Sequence, residues 1–265
     1  MELNQSTFKL KVEDLIYEFS ADGFIQQIYL IDFDGVELPM IKNDFGRIHI
    51  KMSDGRVLKP FVRENTMPER GKFQEAEVVE FGEILWKDES ENEIKGFRLA
   101  LRYELWPGGR AFTTAFFCSN CIHSPDMDEF ALKFDFAMSE FKDVRWSIRP
   151  RPKSFDGAVI QELNFARYLP RHESRDIPNE IICNVGFNAR KADGQSAYFE
   201  INVDGQNSIS EDPQDNYTNL RWTEQGDFTA EYGFIQNKPC KNVPMHYWQW
   251  RNQWSWVLKF ADHAR

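Results

Sequence analysis

The chain is poor in cysteine, with only four in 265 residues. Only Cys118 and Cys121 are near neighbours, in Cys118-Ser-Asn-Cys121-Ile-His123. A structural zinc site normally brings a second closely spaced pair, and none exists. The cysteines therefore read as small hydrophobes at a strand end, or as a local disulfide in an exported protein. Neither a metal nor another cofactor is expected. Long apolar runs are also missing. Nothing approaches the roughly 18–20 residues of a membrane span, and the start, MELNQSTFKLKVEDL, lacks the apolar stretch of a secretory leader. Basic charge is scarce: 32 Lys and Arg stand against 42 Asp and Glu, a formal net charge of -10. Proteins that grip nucleic-acid phosphates need a basic footprint, so nucleic acid is not an expected partner. Neither G-x-G-x-x-G, a phosphate loop, G-x-S-x-G nor H-E-x-x-H occurs. Their absence removes the nucleotide-dependent, classical hydrolase and zinc-protease readings as defaults.

Aromatic residues are abundant, with 23 Phe, 8 Trp and 8 Tyr. They favour pleated, half-buried surfaces, which points to strands. Apolar residues alternate with a period of two along most of the chain, and the stretches end at turn signals. Leu15, Tyr17 and Phe19 share one parity before Asp22-Gly23, and Phe24 to Leu30 returns. Phe97, Leu99, Leu101, Tyr103 and Leu105 share another before Pro107-Gly108-Gly109, and Ala111 to Cys118 runs back. Both are hairpins. Further strands are expected at 78–86, 130–137, 144–148, 159–169, 180–187, 220–223, 228–235 and 245–260. No segment shows a convincing helical stripe. The polar stretches 170–178 and 206–219 read as surface loops. The expectation is an all-β chain: one domain over 1–265, a large antiparallel two-sheet β-sandwich of supersandwich or jelly-roll type with little helix.

Two strands stand out as candidate ligand faces. In an extended strand alternate residues face opposite sides, so parity sorts the stretch from Met245 to Phe260. His246, Trp248, Trp250, Asn252, Trp254, Trp256, Leu258 and Phe260 fall on the even side. Tyr247, Gln249, Arg251, Gln253, Ser255, Val257 and Lys259 fall on the odd side. The even side is expected to wall the core, because buried aromatics contribute so much apolar area. The odd row would then present a phenol, amides and a guanidinium, groups that match sugar hydroxyls and carboxylates. In the other arrangement Trp248 and Trp250 are stacking platforms on a groove. Sixteen extended residues would run about 50 Å, so a bend or bulge near Arg251–Gln253 is expected. The second strand carries Arg145, Ser147, Arg149 and Arg151 on one parity, a row suited to an anionic partner such as a uronate or sulfate. Glu162, Asn164 and Tyr168 share a face in a third region, and His172 follows it.

The stretches from Tyr17 to Ile28 and from Leu101 to Phe112 resemble the early and central hairpins of the galactose mutarotase-like (supersandwich) superfamily of carbohydrate-active proteins. That resemblance implies a carbohydrate ligand. The Asn-His dipeptide of the mutarotases is absent, so no catalytic residue is carried over from them. The leading expectation is a carbohydrate-active protein holding a glycan, an acidic one on the strength of the arginine row, across one sheet. If it is an enzyme of the β-eliminating type, Tyr247, His246 or His172 would take the proton beside a uronate carboxylate, with Glu162 as a further acid–base candidate. Arg149, Arg251 or Asn252 would steady the developing charge. An epimerase-like enzyme is the other catalytic form. A non-catalytic binding module and an oligomeric interaction protein are the competing classes; in each case oligo- or polysaccharide or a second copy, rather than a membrane, is the expected partner.

Overall fold

A computed structural model of the chain describes residues 7–63, 66–120, 127–149, 167–169, 174–178, 184–191, 194–203, 216–234 and 247–260. Alternation dictates which side chains turn inward: Leu15, Tyr17 and Phe19 are buried on one strand, and Phe97, Leu99, Leu101, Tyr103 and Leu105 on another. Nineteen strands result among the described residues, joined by two single-turn 3-10 segments. All the strand pairings are antiparallel. Among the described residues no helix is long and apolar enough to cross a membrane.

The strands form two layers. The first runs β1 (Phe8–Val12), β2 (Leu15–Phe19), β3 (Ile25–Ile31), β5 (Ile41–Met52), β11 (Met127–Phe136), β18 (Phe228–Phe234), β17 (Asn216–Trp222) and β14 (Arg175–Pro178), with β4 (Glu37–Pro39) on β3. The second runs β7 (Glu69–Phe73), β8 (Ala76–Lys87), β9 (Phe97–Trp106), β10 (Arg110–Asn120), β19 (Tyr247–Phe260), β16 (Ser196–Val203), β15 (Asn184–Arg190), β12 (Asp143–Arg149) and β13 (Arg167–Leu169). The short β6 (Val57–Phe61) pairs with both β5 and β8 and ties the layers at one edge.

Aromatic side chains meet between the layers. Phe45 of β5 meets Trp256 of β19 edge to face at 5.0 Å, Phe136 of β11 meets Phe199 of β16 at 4.8 Å, and Trp146 of β12 meets Phe228 of β18 at 5.1 Å. Such pairs add to the area they bury. These contacts make the fold an all-β sandwich.

Three expectations are corrected. Residues 175–178 and 216–219, expected in surface loops, belong to the paired strands β14 and β17, and β17 continues into the strand expected at 220–223. Thr218 and Leu220 of β17 are buried, and the alternation was hidden because the inward position at 218 carries a threonine. Of the bend or bulge expected near Arg251–Gln253, the bulge is absent: β19 pairs with β10 without a register shift from Tyr247↔Asn120 to Val257↔Arg110. All of β10 pairs with β19, and β16 pairs with the last part of β19, so β19 runs on. The expected strand 159–169 lies within the described residues only at 167–169.

Candidate functional site

The outer side of the first layer gathers the ionisable groups. It owes its layout to a bulge in β5. Arg47 pairs with Lys133 and Phe45 with Phe134, so Gly46 is the extra residue. A bulge reverses the side-chain alternation beyond it. Phe45 therefore turns into the core, while Asp44 joins Arg47 and His49 on the outer side. Gly46 has φ +65°, a region where residues with a Cβ are strained.

His49 Nε2 lies 3.1 Å from Asp44 Oδ2, and Arg47 Nε lies 3.0 Å from Asp44 Oδ1. The second arm of Arg47 reaches Asp22 Oδ2 at 2.6 Å. Lys133 Nζ stands 3.7 Å from both Asp44 Oδ2 and Asp135 Oδ2, and Thr229 Oγ1 donates to Asp135 Oδ1 at 2.7 Å. Burial disfavours the charged form of Asp44. The hydrogen bond and charge of His49, with Arg47 and Lys133, outweigh it and hold the carboxyl below its ordinary value. A cleft of about 380 Å³ opens beside Arg47 and His49, lined also by Asp22, Leu58, Lys59 and Lys87.

Across the same face, one rung of the sheet runs His49, Ala131, Gly233, Tyr217. Tyr217 lies over the Gly233 backbone, where an added Cβ would come within 1.8 Å of its ring. Its hydroxyl stands 3.0 Å from Glu129 Oε1 and 3.0 Å from Glu231 Oε1. Asn219 Nδ2 also donates to Glu231 Oε1, at 3.3 Å. Burial, followed by the charges of Glu231 and Glu129, pushes the Tyr217 phenol above its ordinary value, so it stays a donor. A phenol has one proton and gives it to one carboxylate at a time. The pair is thus rich in acceptors and short of donors.

None of these residues was singled out in the sequence as a site residue. A tyrosine and an asparagine on a polar strand, a glutamate on the next, and a histidine behind a bulge share no spacing; only strand register brings them together. The expected site residues lie elsewhere. His246, His172, Glu162 and Arg151 lie outside the described residues. Tyr247, Trp248, Gln249, Trp250, Arg251 and Asn252 are backbone positions of β19 opposite Asn120 to Ala115 of β10, and nothing further is described of their side chains. Trp254, Trp256, Leu258 and Phe260 of the even row are buried, as a core wall requires. Arg145 is exposed on β12, and Arg149 is a β12 backbone position opposite Asn184. Register therefore places the arginine strand and the odd row of β19 in one layer, separated by β15 and β16. Cys118 is a free thiol. Burial raises its pKa while Arg98 opposes the shift.

Fold and site together define an all-β sandwich with an ionisable outer face on one layer. Three solved structures are similar in chain trace. An alpha-galactosidase from Lactobacillus brevis matches with a TM-score of 0.45 at 11% identity, over 96% of this chain but only 39% of that one. A galactose 1-epimerase from Lactobacillus acidophilus NCFM matches with a TM-score of 0.46 at 10% identity, over 96% and 94% of the two chains. A GalM/aldose epimerase homologue from C. elegans matches with a TM-score of 0.46 at 8% identity, over 97% and 99%. No protein-family model matches the chain, and no curated protein does.

Proposed function

We propose that the protein is carbohydrate-active and takes an uncharged sugar on the outer face of the first layer, between His49 and the Glu129–Glu231 pair. The observation that carries this reading is the Tyr217 hydroxyl held 3.0 Å from both carboxylates. Two carboxylates with lone pairs to spare and, among the described residues, only Tyr217 and Asn219 donating to them match a ligand that brings its own hydroxyl donors. Asp44 and Asp135 are matched by Arg47 and Lys133, but Glu129 and Glu231 form no ion pair among the described residues, which works against a uronate beside them and favours a neutral ring. The acidic-glycan form of the expectation does not belong to this face.

The same layout supports proton transfer. His49 on β5 and Glu231 on β18 are two strand spacings apart, roughly 10 Å, which leaves room for one sugar ring between them. His49, oriented by Asp44, takes a proton from a hydroxyl on one side, and Glu231 or Glu129, coupled through Tyr217, exchanges one on the other. An acid and a base on opposite sides of a ring suit an epimerase-like reaction better than β-elimination, which needs a carboxylate on the substrate.

The test has two measurements. Saturation-transfer NMR with galactose and glucose reads binding, and polarimetry of freshly dissolved α-galactose reads catalysed interconversion. Glu231→Gln and His49→Asn are expected to abolish the catalysed rate. Binding without any catalysed rate would reduce the protein to a binding module. No binding of either sugar at millimolar concentration overturns the reading.

A further inference from the structure

The outer face of the second layer carries a second set of unexplained groups. Its rungs follow from register. Arg145, Asn188, Tyr198 and Lys259 form one, Ser147, Gly186, Glu200, Val257 and Arg110 the next, and Asn184, Asn202, Ser255 and Phe112 lie beyond, opposite the Arg149 backbone. We propose that this face is a separate binding site for an anionic oligosaccharide lying across the strands.

Charge is the first argument. Several cations of this chain are matched: Arg102 with Glu80 and Glu104, Arg98 with Glu83, and Arg221 with Asp176. Arg145, Lys259 and Arg110 are exposed on this face, and none of them forms an ion pair among the described residues. Unmatched cations sharing one face of a protein at -10 complement an anion. Arginine offers a carboxylate or sulfate a planar two-point grip.

The polar groups between these cations are already ordered. Asn184, only 5% exposed, donates to Glu200 Oε1 at 2.6 Å and to Asn202 Oδ1 at 2.7 Å, and Asn202 Nδ2 donates to Glu200 Oε1 at 3.1 Å. Glu200 is the carboxylate at the centre of the face. With one oxygen held by two amides, its other oxygen is placed to accept from a sugar hydroxyl. A fixed network of this kind binds without first having to order its side chains.

Exposed rings complete the set. Phe112 and Phe116 on β10 are 49% and 41% exposed. They lie on one side of the strand about 13 Å apart, and Tyr198 is partly exposed two strands away on β16. Between the rings Gln253 Nε2 donates to Thr114 Oγ1 at 3.3 Å. Rings set apart by amides and hydroxyls suit the apolar faces and equatorial hydroxyls of a sugar chain; a protein-binding patch would be contiguous and apolar. From β12 to β10 the face is four strand spacings wide, about 19 Å. That is the span of an oligosaccharide rather than a single ring.

The experiment is calorimetry with tetragalacturonate as the anionic probe and cellotetraose as the neutral one, at low and high salt. The protein is expected to bind tetragalacturonate, more weakly at high salt, and cellotetraose at least tenfold more weakly. The double variants Arg145→Gln with Lys259→Gln, and Phe112→Ser with Phe116→Ser, are each expected to weaken tetragalacturonate by about tenfold or more. All four positions are exposed, and melting curves matching wild type show that the fold is intact. No heat with tetragalacturonate, equal affinity for the two probes, or unchanged affinity in both double variants overturns the proposal. So does a dimer, seen by sedimentation, that the phenylalanine variant dissociates. Monosaccharides probe the first layer and tetragalacturonate the second, so the two readings fail separately.

Discussion

Gly46 and Trp254 touch across the sandwich: a Cβ on Gly46 would stand 2.8 Å from the indole Nε1. The contact joins the bulge of β5 to the core wall of β19. It explains how a buried tryptophan comes to fix the position of a surface carboxylate, because the bulge that Trp254 tolerates only as glycine is what turns Asp44 outward. Gly46→Ala meets both the positive φ and the indole. It is expected to cost about 2 kcal/mol or more, read as a lower urea midpoint with unchanged slope. Sugar binding by the surviving folded protein should weaken as well, because Asp44 loses its seat. An unchanged midpoint would contradict the role assigned to the bulge.

Tyr217 and Gly233 give a cleaner separation of binding from stability. Gly233→Ala pushes a Cβ into the Tyr217 ring, and the ring must swing off the carboxylate pair. The expected outcome is loss of galactose binding with a small change in melting temperature, because the ring is only partly buried. Tyr217→Phe keeps the ring and removes the hydroxyl. It should bind more weakly than wild type and more strongly than Gly233→Ala, and the order of the three by NMR titration checks the geometry.

Most of the architecture was legible in the period-two pattern, and the residues show why. Tyr17, Leu101 and Trp256 lie on strands whose apolar side is continuous, so parity alone assigns them to the core. The end of β17 is legible at 220–222, but its first half reads as loop because a threonine occupies the inward position at 218 and a tyrosine and an asparagine face outward. The ionisable face was not legible at all. Asp44 and His49 have opposite parity until the Gly46 bulge is known, and Glu129 approaches Glu231 only through a strand pairing that spans about a hundred residues. The arginine strand and the odd row of β19 were each visible in sequence. That they belong to one layer depends on β15 and β16 between them, which is a property of the pairing order.

Phe45 and Trp256 sit at the middle of the interlayer contact, where Phe45 also meets Phe134 edge to face at 5.2 Å. Both side chains are almost fully buried. Truncation there leaves a cavity walled by rings that cannot collapse together. Trp256→Ala is expected to lose about 3–5 kcal/mol, and Trp256→Phe distinctly less. Chemical denaturation measures both. If the two variants lose the same amount, cavity volume is not what decides the cost.

Asp44 makes stability depend on pH in a defined direction. Its folded carboxyl titrates below the ordinary 3.8, since His49, Arg47 and Lys133 favour the charged form against burial. A depressed carboxyl stabilises the fold above its unfolded value, and that contribution disappears as pH falls through the folded value. Asp32, Asp54, Asp88 and Asp227 are lowered too, so the wild-type curve alone does not isolate it. The difference between wild type and Asp44→Asn does. Asp44→Asn is expected to melt lower than wild type at neutral pH, and the gap should close on acidification below about pH 4. A gap that stays constant from neutral to acid pH would mean that Asp44 contributes through packing and hydrogen bonds alone, and that its charge does not hold His49 in place.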